Sequence, residues 1–334
     1  MMKILQIGLG SMGKRRVRNL QALGLKDIIG FDPREDRERE AQEKYGIATT
    51  GKLSDKVLHE RDAYIISTPP DRHNQYIKLA LKYQKPVFVE ASVISDGLLE
   101  FERQAKLKGV RIMPSCTLRF HPAVKRIKNL AVSGKFGKIC NFSYHMGQYL
   151  PDWHPWERIT DFYVSKNLTC AAREMVPFEL TWMVDIMGMP KSIFAFRGRT
   201  HDMGVDMDDT YALALNFGDF KGTLLIDVVS RFATRSLILN LEGAQIRWNW
   251  EDGDVKLYDA SKKRWQVFKN PRGRAAKGYN PNIIEDMYVD EMSAFLKAIR
   301  TGKPFENTLK ADAAVLGILE ASECSGAGKT INNR

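Results

Sequence analysis

Three glycines and one acid have the types and spacing to hold a dinucleotide. The run Gly8-Leu9-Gly10-Ser11-Met12-Gly13 follows an apolar stretch (Ile4, Leu5, Ile7), and Asp32 ends the next apolar stretch (Ile28, Ile29, Phe31) 19 residues beyond Gly13. Each glycine has its own mechanical task in such a turn. Gly8 makes the tight bend, Gly10 lets backbone approach a pyrophosphate, and Gly13 lets the following helix sit close to the strand. Ser11 and Met12 complete the turn, and the amides of the first helical turn beyond it face the phosphates, where the helix dipole favours negative charge. An acid at the place of Asp32 accepts hydrogen bonds from the adenosine ribose hydroxyls. Its carboxylate argues for NAD, while Arg34 and Arg37 just beyond it leave NADP open, because an arginine there can hold a 2′-phosphate.

The elements that must position these residues alternate strand and helix. A helix from Lys14 to about Leu23 completes the first βαβ unit, followed by a charged helix over Glu35–Tyr45 and a buried strand over Asp62–Thr68 that the Pro69-Pro70 pair ends. Helices over 74–83 and 97–108, with strands over 87–90 and 110–115, continue the alternation. Such a pattern gives a doubly wound parallel sheet with its ligand at the carboxyl ends of the strands. After about residue 120 it changes. A helix over His121–Ser133 is followed by long alternating runs at 138–146, 192–199, 210–217, 221–229, 235–242 and 244–250, with helices at 176–186 and 286–300. The expected architecture is an N-terminal Rossmann domain (residues 1–120) and an α+β domain with a mostly antiparallel open sheet (residues 121–334). Asn270–Asn282 reads as the most mobile loop.

Composition narrows the function classes. No apolar run approaches the ~20 residues needed to span a bilayer, and the N-terminus enters a strand without a signal-peptide core, so a cytoplasmic protein without membrane contact is expected. The four cysteines, Cys116, Cys140, Cys170 and Cys324, form no CxxC pair, so reduced thiols are expected rather than a disulfide frame or a metal site. A net charge of +11 invites a nucleic-acid reading, but the basic residues are dispersed through amphipathic segments and form no basic arm. A surface that attracts anionic small molecules, or a merely solvated lysine-rich surface, accounts for the charge without nucleic acid.

Taken together, these features resemble the glucose-fructose oxidoreductase, inositol dehydrogenase and rhizopine catabolism (Gfo/Idh/MocA) family over essentially the whole chain. Ser67-Thr68-Pro69-Pro70-Asp71-Arg72-His73 looks like the family's TPPxxH loop. The resemblance places Thr68, Pro69 and His73 beside the nicotinamide half of the cofactor, together with Glu90. Leu118-Arg119-Phe120-His121-Pro122 looks like the RFHP stretch that joins the two domains, and Tyr288–Glu320 like the C-terminal helical pair. Gly147-Gln148-Tyr149-Leu150-Pro151-Asp152-Trp153-His154-Pro155-Trp156 is similar to members associated with sugar-nucleotide and nonulosonic-acid biosynthesis. Arg119, Tyr149, Asp152, Trp153, His154 and Phe178 are the substrate contacts this resemblance implies.

Two departures bear on chemistry. Where family members carry Glu-Lys-Pro, with a lysine that assists proton transfer, this chain reads Glu90-Ala91-Ser92. Where they place an acid four residues before a histidine, it has Glu174 and then Phe178, with Thr181 at a following aspartate and Thr169-Cys170-Ala171 at the usual glycines. Oxidising an alcohol by hydride transfer needs a group to accept the hydroxyl proton, and neither Ala91 nor Phe178 can do so. Candidate substitutes are Tyr149, His154, Lys166 and Glu174, with His145 beside them; each has a structural alternative as a strand, rim or solvated residue. Two functions stay open. One is an NAD(P)-dependent oxidoreductase acting on a sugar or sugar nucleotide with a rearranged acid/base set, and the other is a catalytically silent dinucleotide-binding sensor or partner protein. The second domain's sheet alternation, which carries Leu213, Leu215, Leu225 and Leu239 alongside Ala212 and Ala214, suggests apolar residues on both faces and predicts a homodimer or homotetramer through an otherwise uncovered face.

Overall fold

The computed structural model describes residues 2–153, 158–270 and 284–325. The chain divides into two compact units, Met1–Phe120 with Glu285–Ala314, and His121–Ile284 with Val315–Arg334.

The first unit runs β1 (Ile4–Ile7), α1 (Ser11–Ala22), β2 (Ile28–Phe31), α2 (Glu35–Tyr45), β3 (Ala48–Thr49), α3 (Asp55–Glu60), β4 (Ala63–Ile66), α4 (His73–Lys82), β5 (Val87–Val89), α5 (Leu98–Lys108) and β6 (Ile112–Pro114). Its six strands lie in the order β3-β2-β1-β4-β5-β6, and every pairing is parallel. β1 and β4 are buried at all positions, as strands covered on both faces must be, which is why they read as unbroken apolar runs. The order reverses between β1 and β4, the switch point where a doubly wound sheet opens a crevice at its strand ends. The expected parallel Rossmann sheet is therefore the observed one. α1 starts at Ser11 and not at Lys14, directly after Gly10.

The second unit runs α6 (Pro122–Val132), β7 (Ile139–Tyr149), α7 (Ala171–Met187), β8 (Ser192–Gly198), β9 (Thr210–Asn216), β10 (Lys221–Asp227), β11 (Val229–Leu241), β12 (Ala244–Asn249), β13 (Val255–Asp259) and β14 (Arg264–Phe268). The strand order is β14-β13-β12-β11-β7-β10-β9-β8, antiparallel except for the parallel β10–β7 pair. Alternation sorts its side chains cleanly. Tyr144, Leu213, Leu224, Leu237, Leu239, Ile246 and Trp248 are buried on one face, where the Tyr144 ring meets Trp182 of α7 edge-on at 5.4 Å. Phe194, Phe196, Leu225 and Ile238 stay exposed on the other. The sheet is thus open on one side, as expected for the second domain.

Two final helices follow, α8 (Glu285–Thr301) and α9 (Leu309–Cys324). The sequence reading assigned everything after residue 120 to the second domain, whereas Glu285–Ala314, with all of α8, packs in the first unit. Polar side chains explain why. Glu291 of α8 is fully buried, accepting from Ser115 Oγ at 3.0 Å, Cys116 N at 2.6 Å and Thr117 Oγ1 at 2.7 Å, and Arg16 Nη1 lies 2.9 Å away. No helix among the described residues is long and apolar enough to cross a membrane.

Candidate functional site

The glycine turn has the geometry its sequence demands. Gly8 sits at φ +90°, and a Cβ there would lie 2.4 Å from the Ser67 carbonyl oxygen. A Cβ on Gly13 would lie 1.9 Å from the Gly8 carbonyl oxygen, so α1 can approach β1 this closely only without a side chain. Gly10 differs. It has ordinary extended backbone at φ −68°, and a Cβ would meet only the Arg37 guanidinium, at 3.5 Å. No side chain caps α1 at Gly10, and no acid lies in the first turn, the conditions under which a helix start receives phosphate.

Asp32 is 5% exposed and held in place by backbone. Its Oδ2 accepts from Leu9 N at 2.7 Å and its Oδ1 from Arg34 N at 3.0 Å, while Arg37 Nη1 stands 3.7 Å from Oδ2. The Arg34 guanidinium is engaged with the Asp36 carboxylate by two contacts, at 2.6 and 3.1 Å. These residues fit the adenosine and pyrophosphate portions of a dinucleotide, whose nicotinamide would supply or accept hydride.

The loop after β4 is clamped from below. His73 is 2% exposed, and its Nε2 bonds the Thr68 carbonyl oxygen at 2.9 Å. Burial holds its imidazole below the usual histidine range, so it bonds Thr68 as a neutral donor. Thr68 Oγ1 is buried without a hydrogen-bond partner, an orphan that a ligand amide could satisfy. Glu90, at the end of β5, accepts Ser67 Oγ at 3.2 Å and a two-point contact from Arg16, at 2.6 and 2.9 Å. Arg16 is fully buried between Glu90 and Glu291, with its guanidinium 4.7 Å from the centre of the Phe88 ring. Sequence reading missed Arg16, because Lys14-Arg15-Arg16 looks like a solvated helix face until α8 is placed against it. Ala91 is half-buried and adds no proton-carrying group.

Arg119 of the first unit donates to the Glu306 carbonyl oxygen. In the second unit, α7 presents Glu174, Met175 and Phe178 half-exposed on a helix otherwise buried through its first ten residues. Glu174 lies in the first turn, and its carboxylate accepts the Tyr163 phenol, at 3.0 Å to Oε2 and 3.2 Å to Oε1. Tyr163 was not singled out by the sequence, because it lies in an irregular stretch of short turns that shows no period; its only signal is the aromatic pair Phe162-Tyr163 upstream of an acid. Tyr149 ends β7 with the Arg231 guanidinium 3.9 Å from its ring centre, and Lys166 is exposed. Asp152 is exposed in the turn after β7, and Trp153 keeps a buried, unpartnered Nε1. His145 Nε2 lies 2.7 Å from Asp227 Oδ2, on the sheet face opposite Tyr144 and α7. His154 lies outside the described residues, as does nearly all of the Asn270–Asn282 loop.

Comparison with known proteins agrees with this layout. Residues 2–96 match the oxidoreductase family with an NAD-binding Rossmann fold, and residues 124–247 match the GFO/IDH/MocA C-terminal domain. Myo-inositol 2-dehydrogenase of Thermotoga maritima is 28% identical over 143 residues, 41% of this chain and 42% of the relative. The chain spans about half the length of the curated relatives it matches. Among solved structures, levoglucosan dehydrogenase in complex with NADH superposes with a TM-score of 0.83 at 16% identity, covering 98% of this chain and 97% of that one. UDP-N-acetylglucosamine 3-dehydrogenase from Acidithiobacillus ferrooxidans superposes with a TM-score of 0.76 at 16% identity, covering 97% of each chain. With both domain models of one family matched in order, and an NAD-binding Rossmann unit preceding the open sheet, the chain belongs to the Gfo/Idh/MocA oxidoreductase family.

Proposed function

We propose that this chain transfers hydride between NAD and a hydroxyl or keto group of a sugar or sugar nucleotide, using an acid/base set rearranged around Glu174. The observation that carries the cofactor half is the Asp32 carboxylate, buried and fixed by the Leu9 and Arg34 amides where ribose hydroxyls are recognised. A fixed anion there repels a 2′-phosphate, and Arg34 is turned to Asp36, so NAD is favoured over NADP. The substrate half is supported by the relatives, which act on a cyclitol, an anhydrosugar and a nucleotide sugar. Thr68, Pro69 and Glu90 serve the nicotinamide side, and Tyr149, Asp152, Trp153 and Arg119 the substrate side. Ala91 and Phe178 favour the second reading, a silent member that binds the dinucleotide and leaves it unchanged.

The uncovered sheet face is assigned to a second copy of the chain. Phe194 and Phe196 meet edge-on at 5.0 Å and are 42% and 57% exposed, and Leu225 and Ile238 extend the same apolar surface.

The deciding experiment is absorbance at 340 nm with NAD and a panel of cyclitols, anhydrosugars and UDP-sugars, and with NADH and the keto forms. Turnover with any of them supports the oxidoreductase. Tight NADH binding without turnover across the panel replaces it with the sensor.

A further inference from the structure

Resting on the oxidoreductase reading, we propose that Tyr163 exchanges the proton with substrate and that Glu174 receives the proton Tyr163 gives up. The side chains of the second unit leave few alternatives among the described candidates. Phe178, one turn after Glu174 on α7, has no exchangeable proton. His145 is bound to Asp227 on the sheet face away from α7. Tyr149 carries the Arg231 guanidinium over its ring, and Lys166 is exposed. Tyr163 bonds the Glu174 carboxylate of α7, and it is held from three sides. Its phenol reaches both oxygens of Glu174 at 3.0 and 3.2 Å, and its carbonyl oxygen accepts Thr169 Oγ1 at 2.7 Å. The Phe162 ring packs edge-on against its own at 5.0 Å. Its half-exposure leaves it open to a ligand.

A phenol bonded to a carboxylate can relay a proton that neither group reaches alone. In the oxidising direction, the substrate O–H proton passes to Tyr163 Oη and the phenol's own proton passes to the Glu174 carboxylate. The adjacent C–H bond breaks with its electron pair leaving as hydride, which the nicotinamide ring accepts, and C–O becomes C=O. One proton then leaves Glu174 for water, so NAD+ and an alcohol give NADH, a carbonyl and H+. Reduction runs the same relay backwards.

The test pairs Tyr163→Phe with Glu174→Gln in the full chain. Tyr163→Phe, which keeps the ring against Phe162, is expected to lower kcat by about 10²- to 10⁴-fold, the cost of a lost proton-transfer group, with KM little changed. Its NAD affinity by calorimetry should stay within about twofold. Glu174→Gln should also lower kcat. In 3-fluorotyrosine-labelled protein without cofactor, the ¹⁹F resonance missing from Tyr163→Phe should be the one that Glu174→Gln moves. Tyr163→Phe retaining more than a tenth of wild-type kcat overturns the proposal while leaving the oxidoreductase intact. So does a Glu174→Gln that retains more than a tenth of wild-type kcat, a check that stands even where Tyr163→Phe does not fold. A wild type that transfers no hydride overturns the oxidoreductase reading and the proton role with it.

Discussion

Arg16 and Glu291 face each other at 2.9 Å with no solvent exposure on either side chain. Burial pushes the Glu291 carboxyl upward, and the Arg16 charge opposes that shift. Removing one partner of such a pair leaves an uncompensated buried charge, which costs about 3–5 kcal/mol. Arg16→Ala is therefore expected to lower the unfolding free energy by about that much in urea titrations. A loss under 1 kcal/mol would mean that water already reaches this site.

The glycines separate folding from binding. Gly10→Val should fold with near-normal stability, because its Cβ meets only the movable Arg37 guanidinium, yet lose NAD binding because the side chain fills the pyrophosphate's approach. Gly13→Val should fail to fold, since its Cβ would overlap the Gly8 carbonyl. Calorimetry and circular dichroism on the two variants check this; undiminished NAD affinity in Gly10→Val contradicts the cofactor assignment.

His121 caps α6, its Nδ1 accepting Ala123 N at 3.2 Å, and stacks on Trp250 at 5.1 Å. Burial lowers its imidazole to about 3. The unfolded chain takes up this proton near pH 6.5 and the fold does not, so stability falls as pH drops below about 6.5, by about 1.4 kcal/mol per pH unit for this residue. Buried Asp312, raised to about 7, acts in the opposite sense, which makes the difference between variants the useful quantity. His121→Asn keeps a capping oxygen and cannot take up the proton, so its stability should fall less steeply between pH 6.5 and 5. Parallel curves for the two proteins would contradict the burial argument.

Phe196→Glu places a charge on the edge strand β8, within the exposed apolar surface of the open sheet face. Light scattering should give twice the chain mass, or a multiple of it, for the wild type and a single chain mass for the variant, with unchanged circular dichroism. A monomeric wild type at micromolar concentration removes the proposed interface.

Much of this fold was legible because period and punctuation carried it. β1, β4 and β5 are short apolar runs between turn residues, and Glu35–Tyr45 was bounded correctly because Gly46, at φ +63°, ends it. α7 was misplaced for a physical reason. Pro177 looks like a helix start but sits inside, where the Arg173 carbonyl loses its helical donor, so the true start at Ala171 lay hidden upstream. β11 begins at Val229 and not Arg235 because a register shift between Val229 and Thr234 breaks its alternation. β14 escaped notice because Arg264–Gln266 are all exposed, leaving no apolar face to mark a strand. The cofactor residues were readable since a single βαβ unit contains them. Tyr163 and Glu174 were not readable as a pair, because the bond between them depends on a stretch of turns with no period.

Synthesis order has a consequence for α8. A ribosome must translate about 300 residues before the first unit receives the helix that covers Arg16, so while the entire second sheet is being made the nascent Rossmann sheet holds Arg16 against Glu90 alone and lacks its second carboxylate, Glu291. Expressing residues 1–120 alone would freeze the chain in that condition, and supplying 285–314 in trans is the way to relieve it.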